Sequence, residues 1–520
     1  PHASERGRRR IVIDALRRHA ALLTILVLAL LLRLYGIHNP ILDHPGWRQG
    51  DEAAIARNYA LLHNDLFAPQ VDYDGPPPNY AELELQIVPF AAAQLYRVFG
   101  VHETLARLVV VVFSLAEILL LYLFGRDMFS RRAGLIAALA YAVAPGAIYY
   151  GRTITPDTDM VFFMTGTLYF WWRFCDARRP IDFWAAVGFG ALAWLAKPVA
   201  LLAIVPIVAL LLARRGLRSA LADWALYAFA LLTLAPAFFY FRHLERIAEW
   251  HWATGITTLH VVPALQAALT DPSRFGAALF GALALLRMLS TTILGPVLFT
   301  LTVGAWFALP RDDRSRLRAW YLGTWLAALV FYAFAVVNVE RVDYYLLPAL
   351  PLAALLAGGA LDNLAPRIGL ASASALTVTG GLAALLVVVY ANMLEVHPYY
   401  TWSRPVYAAA GELNRRLDPG TLVIMGHYDP SVLYTIGRKG WEEDALTWTV
   451  RDTHSAIKKG AAYFIGVEVP RLKANRPLYT YLQQFARVPV SSGWQVYDLR
   501  HPARRTVRRG SERSAHSVGR

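Results

Sequence analysis

The sequence predicts a polytopic, all-α membrane protein with a small α/β domain towards its C-terminal end. Three observations carry this. Of the 520 residues, 56% are hydrophobic and only 17% charged, which is more apolar surface than one soluble core can bury. Eleven stretches of the chain approach the ~20 mostly apolar residues that one spanning helix requires. Arginines cluster in every second connection between those stretches, as the positive-inside rule requires of cytoplasmic loops.

In order, the predicted spans lie near residues 19–37, 104–124, 132–150, 158–174, 183–196, 198–213, 221–241, 284–309, 319–337, 343–361 and 367–391. Lys197-Pro198 interrupts one apolar run and leaves the fifth and sixth spans short. The basic groups are Arg6, Arg8, Arg9 and Arg10; Arg126, Arg131 and Arg132; Arg173, Arg178 and Arg179; Arg214, Arg215 and Arg218; and Arg311, Arg314, Arg316 and Arg318. All fall on one side, the cytoplasmic one. Eleven spans then leave the N-terminus inside and the C-terminus outside. The first span has no small-residue cleavage site after it and is expected to be retained.

Residues 1–391 therefore read as the membrane domain, with two large outer loops at 38–103 and 242–283. In the first, Asp51 to Asp65 reads as a short amphipathic helix with Ile55, Tyr59 and Leu62 at helical spacing. Pro76, Pro77 and Pro78 break the chain before a second apolar run, Leu83 to Phe99. The second loop carries His243, Glu245, Glu249, His251 and His260. Residues 392–500 mix strand-like Thr421 to Met425, Tyr463 to Val467 and Trp494 to Leu499 with helical pieces, the pattern of a small outer α/β domain. Residues 501–520, rich in Arg and Ser, read as a disordered tail.

A net charge of +14 would suit nucleic acid in a soluble domain. Here the arginines are scattered over short loops, where they serve topology and contact with anionic membrane lipids, and nucleic acid is excluded as a partner. The single cysteine, Cys175, has no partner for an intrachain disulfide.

Chemistry is expected where acids and cations meet at the outer interface. Asp51 and Glu52 follow the first span, and Asp157 follows Pro156 at the outer end of the third. Helix capping competes as an explanation for each, because an acid in the first turn is stabilising. Two caps, however, would be indifferent to the side of the membrane they occupy. Lys197 sits within an apolar run, where a charge calls for a counter-ion or a function. Arg152 and Arg341 lie at the same level, the latter before Asp343-Tyr344-Tyr345. Such a set suits a phosphate headgroup. If a sugar is joined to a lipid phosphate, the leaving group is a weak base and needs no general acid. One carboxylate then suffices as base for an incoming hydroxyl, with inversion at the sugar carbon, unlike the paired acids of glycoside hydrolysis.

The run Trp47-Arg48-Gln49-Gly50-Asp51 with Ala54 to Asn58, then Pro69 to Asp72, Glu84 and Leu95 to Gly100, resembles bacterial polyprenyl-phosphate-dependent glycosyltransferases of the GT-C fold. These are grouped with the lipid A aminoarabinose transferase and the protein O-mannosyltransferases of family 39. Tyr149-Tyr150-Gly151-Arg152 with Pro156-Asp157, Ala196-Lys197-Pro198, Tyr344 to Pro348, and Gly437 to Trp441 are similar to its later motifs. As an ordered set these cover most of the chain.

The resemblance implies that Asp51 is the catalytic base or orients the acceptor, that Asp157 supports it beside Glu52, and that Lys197, Arg152 and Arg341 contact the donor phosphate with Tyr344 or Tyr345. It matches Glu84 to an acid that contributes to a divalent metal site in some relatives, with His251 or His260. The chain departs from the pattern there, reading Glu84-Leu85-Gln86 where many relatives have Glu-Phe-Pro or a Lys-Pro-Pro element. No cofactor is otherwise expected. The expected partners are a polyprenyl-phosphate-sugar donor and a lipid, glycan or protein acceptor, in a prokaryotic inner membrane. A lipid-linked glycan flippase would show paired repeats and broken helices near the midplane, and an O-antigen ligase or polymerase joins whole glycans; these are the competing readings.

Overall fold

The computed structural model describes residues 19–366 and 375–503. The expectations for Arg6, Arg8, Arg9 and Arg10, for the start of the last span (367–374), and for the tail beyond 503 lie outside the described residues. The chain divides into two compact units. One comprises Pro1–Val71 with Pro78–Trp402, the other Asp72–Pro77 with Ser403–Arg520.

The first unit is a helical bundle opening with α1 (His19–Leu34), α2 (Gly46–Leu61), α3 (Ile87–Phe99), α4 (Glu103–Met128), α5 (Arg131–Val143), α6 (Pro145–Tyr150), α7 (Asp157–Ala177) and α8 (Pro180–Ala196). Further helices include Ile204–Arg215, Trp224–Ile247, Pro272–Met288, Gly295–Ala308, Ser315–Tyr332, Ala349–Leu364 and Ala375–Val396. Among the described residues, six helices are long and apolar enough to cross a membrane, and five shorter apolar ones accompany them. Their outer faces are apolar, with Leu231, Phe238 and Phe239 exposed on one helix. Charged groups such as Arg33, Arg107 and Glu117 are fully buried, the distribution expected when the surrounding solvent is lipid.

Local chemistry explains the breaks. Ser130 caps α5, its side chain accepting from the Ala133 amide. Pro180 opens α8 at a first-turn position, where its missing N–H costs nothing. The α7/α8 pair packs closely because Gly166 has no side chain. A Cβ there would stand 2.0 Å from the Phe189 ring.

Several expectations are corrected. The interfacial helix expected at Asp51 to Asp65 is α2, which runs from Gly46 to Leu61 and is buried on most sides, with Ile55 and Tyr59 in the core and Leu62 exposed. Its charged residues have internal partners, so they do not mark a wet face. The span expected at 132–150 is divided between α5 and α6 at Pro145, which cannot donate to the preceding turn. The span expected at 284–309 is two helices, Pro272–Ile293 and Gly295–Ala308. They part at Gly295, whose φ of +75° precedes Pro296. Much of the loop expected at 242–283 is accordingly helical.

The second unit contains a five-stranded sheet in the order Lys439–Glu442, Leu422–Met425, Ala461–Gly466, Gln495–Pro502, Phe485–Val488. The first three strands are parallel and the last two join antiparallel. Parallel neighbours need crossovers, supplied by Pro430–Ile436 and Val450–Lys458. Ile424, Phe464, Leu472, Leu478, Leu482 and Tyr497 form its core. Asp72–Pro77 lies against the edge strand: Asp72 O accepts from Gly440 N at 2.9 Å, and Lys439 Nζ is 2.7 Å from Asp72 Oδ1. The strand Lys439–Glu442 and the strand Phe485–Val488 were not expected. Gln495–Pro502 extends past the point where a disordered tail was expected to begin.

Candidate active site

The site grows from the second turn of α2. Asp51 and Glu52 lie six and seven residues into this helix, beyond the amides that lack intrahelical partners, so neither caps it. Arg48 and Glu52 stand one turn apart on the same face, Nη2 to Oε1 2.9 Å. The same Arg48 nitrogen reaches Glu84 Oε2 at 2.8 Å. Glu84 is held by its backbone: its carbonyl accepts from the Tyr240 hydroxyl at 3.1 Å, and the next amide, Leu85 N, donates to Leu195 O at 2.8 Å.

That second bond fixes the Glu84 segment to the last turn of α8, which ends at Lys197. Pro198 prevents the helix from continuing, and Lys197 turns to an extended φ of −166°. Its ammonium lies 2.6 Å from Asp157 Oδ1 at the start of α7, 4.6 Å from the centre of the Tyr345 ring and 5.2 Å from that of Tyr344. Asp51, Glu52, Glu84, Asp157, Lys197, Tyr344 and Tyr345 are thus linked through one buried region, with Arg48 at its centre.

Five buried acids, Asp51, Glu52, Glu84, Asp157 and Asp159, share this region with two cations, Arg48 and Lys197. Both cannot neutralise all five. Burial pushes the Glu52 carboxyl up to about 8, Arg48 opposing and Glu84 adding to the rise. Burial acts on Glu84 too, but Arg48 and then Lys197 outweigh it and hold this carboxyl below its ordinary range. Lys197 is held above the ordinary lysine value because Asp157 outweighs its desolvation. The region therefore holds a neutral acid beside charged ones at pH 7.

Arg152 and Arg341 are not brought to Lys197. Arg152 is fully buried, with Nη2 2.7 Å from Asp43 Oδ2, Nη1 donating to Gly36 O at 3.1 Å, and its guanidinium stacked over Tyr149 and Tyr400 at 4.8 and 4.5 Å. Asp43 also receives Arg107 at 3.0 Å and Gln49 of α2 at 2.7 Å. Arg152 is thus committed to bracing the chain before α2. Arg341 is exposed, in a left-handed conformation (φ 52°), and donates to Asn338 O.

The residues expected at a metal do not fit one. Glu84 is taken by Arg48, His251 lies 3.8 Å from Glu82, and His260 pairs with Glu340 at 3.1 Å. Among the described residues no three His, Cys, Asp or Glu side chains are grouped to hold a metal ion.

Sequence reasoning missed a neighbouring constellation. Asp343 accepts from Tyr150 Oη at 2.7 Å, Tyr399 Oη at 2.5 Å and the Tyr344 amide at 2.9 Å, and lies 3.4 Å from His44 Nε2. It fixes the Tyr344-Tyr345 turn, while His44 precedes α2. No spacing in the chain links residues so far apart. Beyond Tyr345 opens an apolar cavity of about 630 Å³, lined by Leu283, Leu286, Leu289, Phe299 and Trp306 as well as Tyr345 itself.

Residues 86–240 match the family described as dolichyl-phosphate-mannose-protein mannosyltransferase. The chain is similar in structure to ArnT from Cupriavidus metallidurans bound to undecaprenyl phosphate, with a TM-score of 0.59 and 16% identity, covering 92% of this chain and 98% of that one. The chain has the GT-C glycosyltransferase fold. The archaeal oligosaccharyltransferase AglB from Archaeoglobus fulgidus, in complex with an inhibitory peptide and a dolichol-phosphate, is a second protein of similar structure. It has a TM-score of 0.55 and 13% identity over 93% of this chain and 74% of that one. No curated protein matches the sequence. Within the GT-C fold, the ion-paired region occupies the helix ends around α2, α7 and α8; α3 to α8, the helix Ile204–Arg215 and most of Trp224–Ile247 fall inside the matched family segment, and α2 lies before it.

Proposed function

We propose that this protein is an integral membrane, inverting glycosyltransferase that moves a sugar from a polyprenyl-phosphate donor to an acceptor hydroxyl at the outer face of a prokaryotic inner membrane. One observation carries the reading: Lys197, ion-paired to Asp157, sits over Tyr345, and Tyr345 is also part of the wall of the apolar cavity. A phosphate headgroup with a long apolar tail has this division of chemistry. The tail exchanges the apolar bilayer for an equally apolar cavity wall, where close packing holds it, and the headgroup meets a desolvated ammonium held by one carboxylate. Structural similarity to a protein bound to undecaprenyl phosphate supports the same assignment.

In the proposed reaction Asp51 takes the proton of the acceptor hydroxyl as its oxygen attacks the anomeric carbon. The bond between that carbon and the phosphate oxygen breaks, and the electron pair leaves with the polyprenyl phosphate. Lys197 stabilises the charge gathering on that phosphate, with Tyr344 and Tyr345 beside it. Asp157 positions Lys197. Arg48 fixes Glu84 and Glu52 around Asp51, and the neutral Glu52 carboxyl limits the negative charge beside the base. The Ser403–Arg520 unit is proposed to receive the acceptor outside the membrane.

A test follows directly. Purified protein is incubated with labelled polyprenyl-phosphate sugars in liposomes. Transfer or slow hydrolysis of the label supports the reading, whereas movement of intact donor across the bilayer without bond cleavage supports a flippase. Joining of preassembled glycans without use of the single-sugar donor supports a ligase.

A further inference from the structure

The second unit carries a groove that the proposed reaction does not use. It is a cavity of about 700 Å³ between the helix Arg404–Arg416 and the turn Ser491-Ser492-Gly493-Trp494 that leads into the strand Gln495–Pro502. Val406 and Ala409 form part of an apolar floor, and Glu412, Arg415, Ser492 and Trp494 supply the rest of the chemistry used here.

The frame of the groove is already fixed. Glu412 accepts from the Ser491 amide at 3.0 and 3.1 Å and from the Ser491 hydroxyl, and it is paired with Arg416 at 3.0 Å. Arg416 in turn donates to Pro489 O. The turn is thereby tied to the helix from both sides, and the negative charge of Glu412 is compensated within the frame.

Three groups face the groove without a direct side-chain partner, although the Arg415 charge acts on Glu412. Among the described residues, the Trp494 indole makes neither a ring contact nor a hydrogen bond, and the Arg415 guanidinium makes no ion pair. The Ser492 hydroxyl oxygen is buried without a hydrogen-bond partner. A buried hydroxyl takes a partner from solvent or from a ligand, and this one is open to either. An aromatic face with a polar N–H at its edge, a forked guanidinium and a hydroxyl are complementary to a sugar ring with an acidic substituent. The indole covers the C–H face, the guanidinium takes the oxyanion bidentately, and the hydroxyl meets a ring hydroxyl.

We propose that this groove is a binding site for an anionic saccharide, presented by the acceptor glycan. Its use in acceptor binding rests on the proposed transferase reading; the binding itself does not.

The test uses the full chain in nanodiscs, without any donor, and measures binding of trigalacturonate and, as a neutral control, maltotriose by saturation-transfer NMR and calorimetry. Trigalacturonate is expected to bind with a dissociation constant on the order of 1 mM or below, and maltotriose at least about tenfold more weakly. Trp494→Ala and Arg415→Ala should each weaken trigalacturonate binding about tenfold, and Arg415→Lys should restore part of it because the charge returns without the fork. Circular dichroism and melting of each variant check that the unit stays folded. Equal binding of the two saccharides, no binding to the wild type, or unchanged binding by folded Trp494→Ala would overturn the proposal. Saccharide binding in a protein that shows no transfer would leave the groove standing and remove only the transferase reading.

Discussion

Lys197 and Asp157 meet at 2.6 Å although 40 residues separate them, and both side chains are buried. Each charge would be costly there alone, since a buried charge without its partner is destabilising. The pair places a cation where α7 and α8 meet and points it at Tyr345. It also separates two contributions to activity that substitutions can resolve.

Replacing Lys197 by Ala should raise the donor KM by at least about tenfold, as expected for loss of a charge-assisted contact to phosphate. Replacing Asp157 by Asn should have a smaller effect on donor binding, because the ammonium remains but loses its orientation. Single-turnover measurements over a range of donor concentrations separate the two, and wild-type donor affinity in Lys197→Ala would remove the phosphate assignment.

Asp51→Asn keeps the shape of the side chain and removes the base. Transfer should fall by at least about 100-fold, the scale of general-base contributions, while donor binding stays within about twofold of wild type. Rates and donor binding measured on the same preparation decide this. A variant with full activity would move the base elsewhere, and Glu52 would be the next residue to replace.

The membrane character of the chain was legible because it is a property of composition, averaged over long apolar stretches. The pairing of Lys197 with Asp157 was within reach for a related reason: both sit where an apolar run stops, so topology alone puts them at one level. Partner choice inside the bundle was not legible. Asp43 takes Arg152 from 109 residues away, and Asp343 lies beside His44 across 299. Arg152 and Lys197 look alike in sequence, each a cation beside a helix end. Only the fold shows one sealed against Asp43 and the other set over Tyr345. The helix carrying Asp51 was misplaced by five residues because its buried polar residues mimic a solvated face.

Arg152 should therefore behave as a structural residue. Arg152→Ala leaves Asp43 with Arg107 as its one remaining cation and opens the cradle under Tyr149 and Tyr400, and a loss of about 3–5 kcal/mol is expected for breaking a fully buried pair. Arg152→Lys should recover only part, since a single ammonium nitrogen replaces the two guanidinium nitrogens that reach Asp43 and Gly36 O separately. Thermal melting in detergent checks both. In whatever fraction folds, the donor KM should stay near wild type, the opposite of Lys197→Ala.

Glu52 gives the protein a pH dependence whose sign is fixed by its burial. Its folded pKa, about 8, lies above the ordinary 4.5, so the folded state holds this proton more tightly than the unfolded chain. The stabilisation is complete below the ordinary value and is lost as pH rises through the folded one. Between about pH 4.5 and 8 the wild type should lose stability on the order of a few kcal/mol from this group. Glu52→Gln carries a fixed neutral side chain of the same shape, and its melting temperature should decline less across the same range. Activity should respond too. Above pH 8 the ionised Glu52 adds negative charge beside Asp51 and next to the Arg48 cation on which Glu84 also depends, so the wild-type rate should fall there. Glu52→Gln should keep its rate at pH 9. Parallel pH profiles for the two proteins, in melting and in turnover, would show that Glu52 does not hold a proton in the folded state.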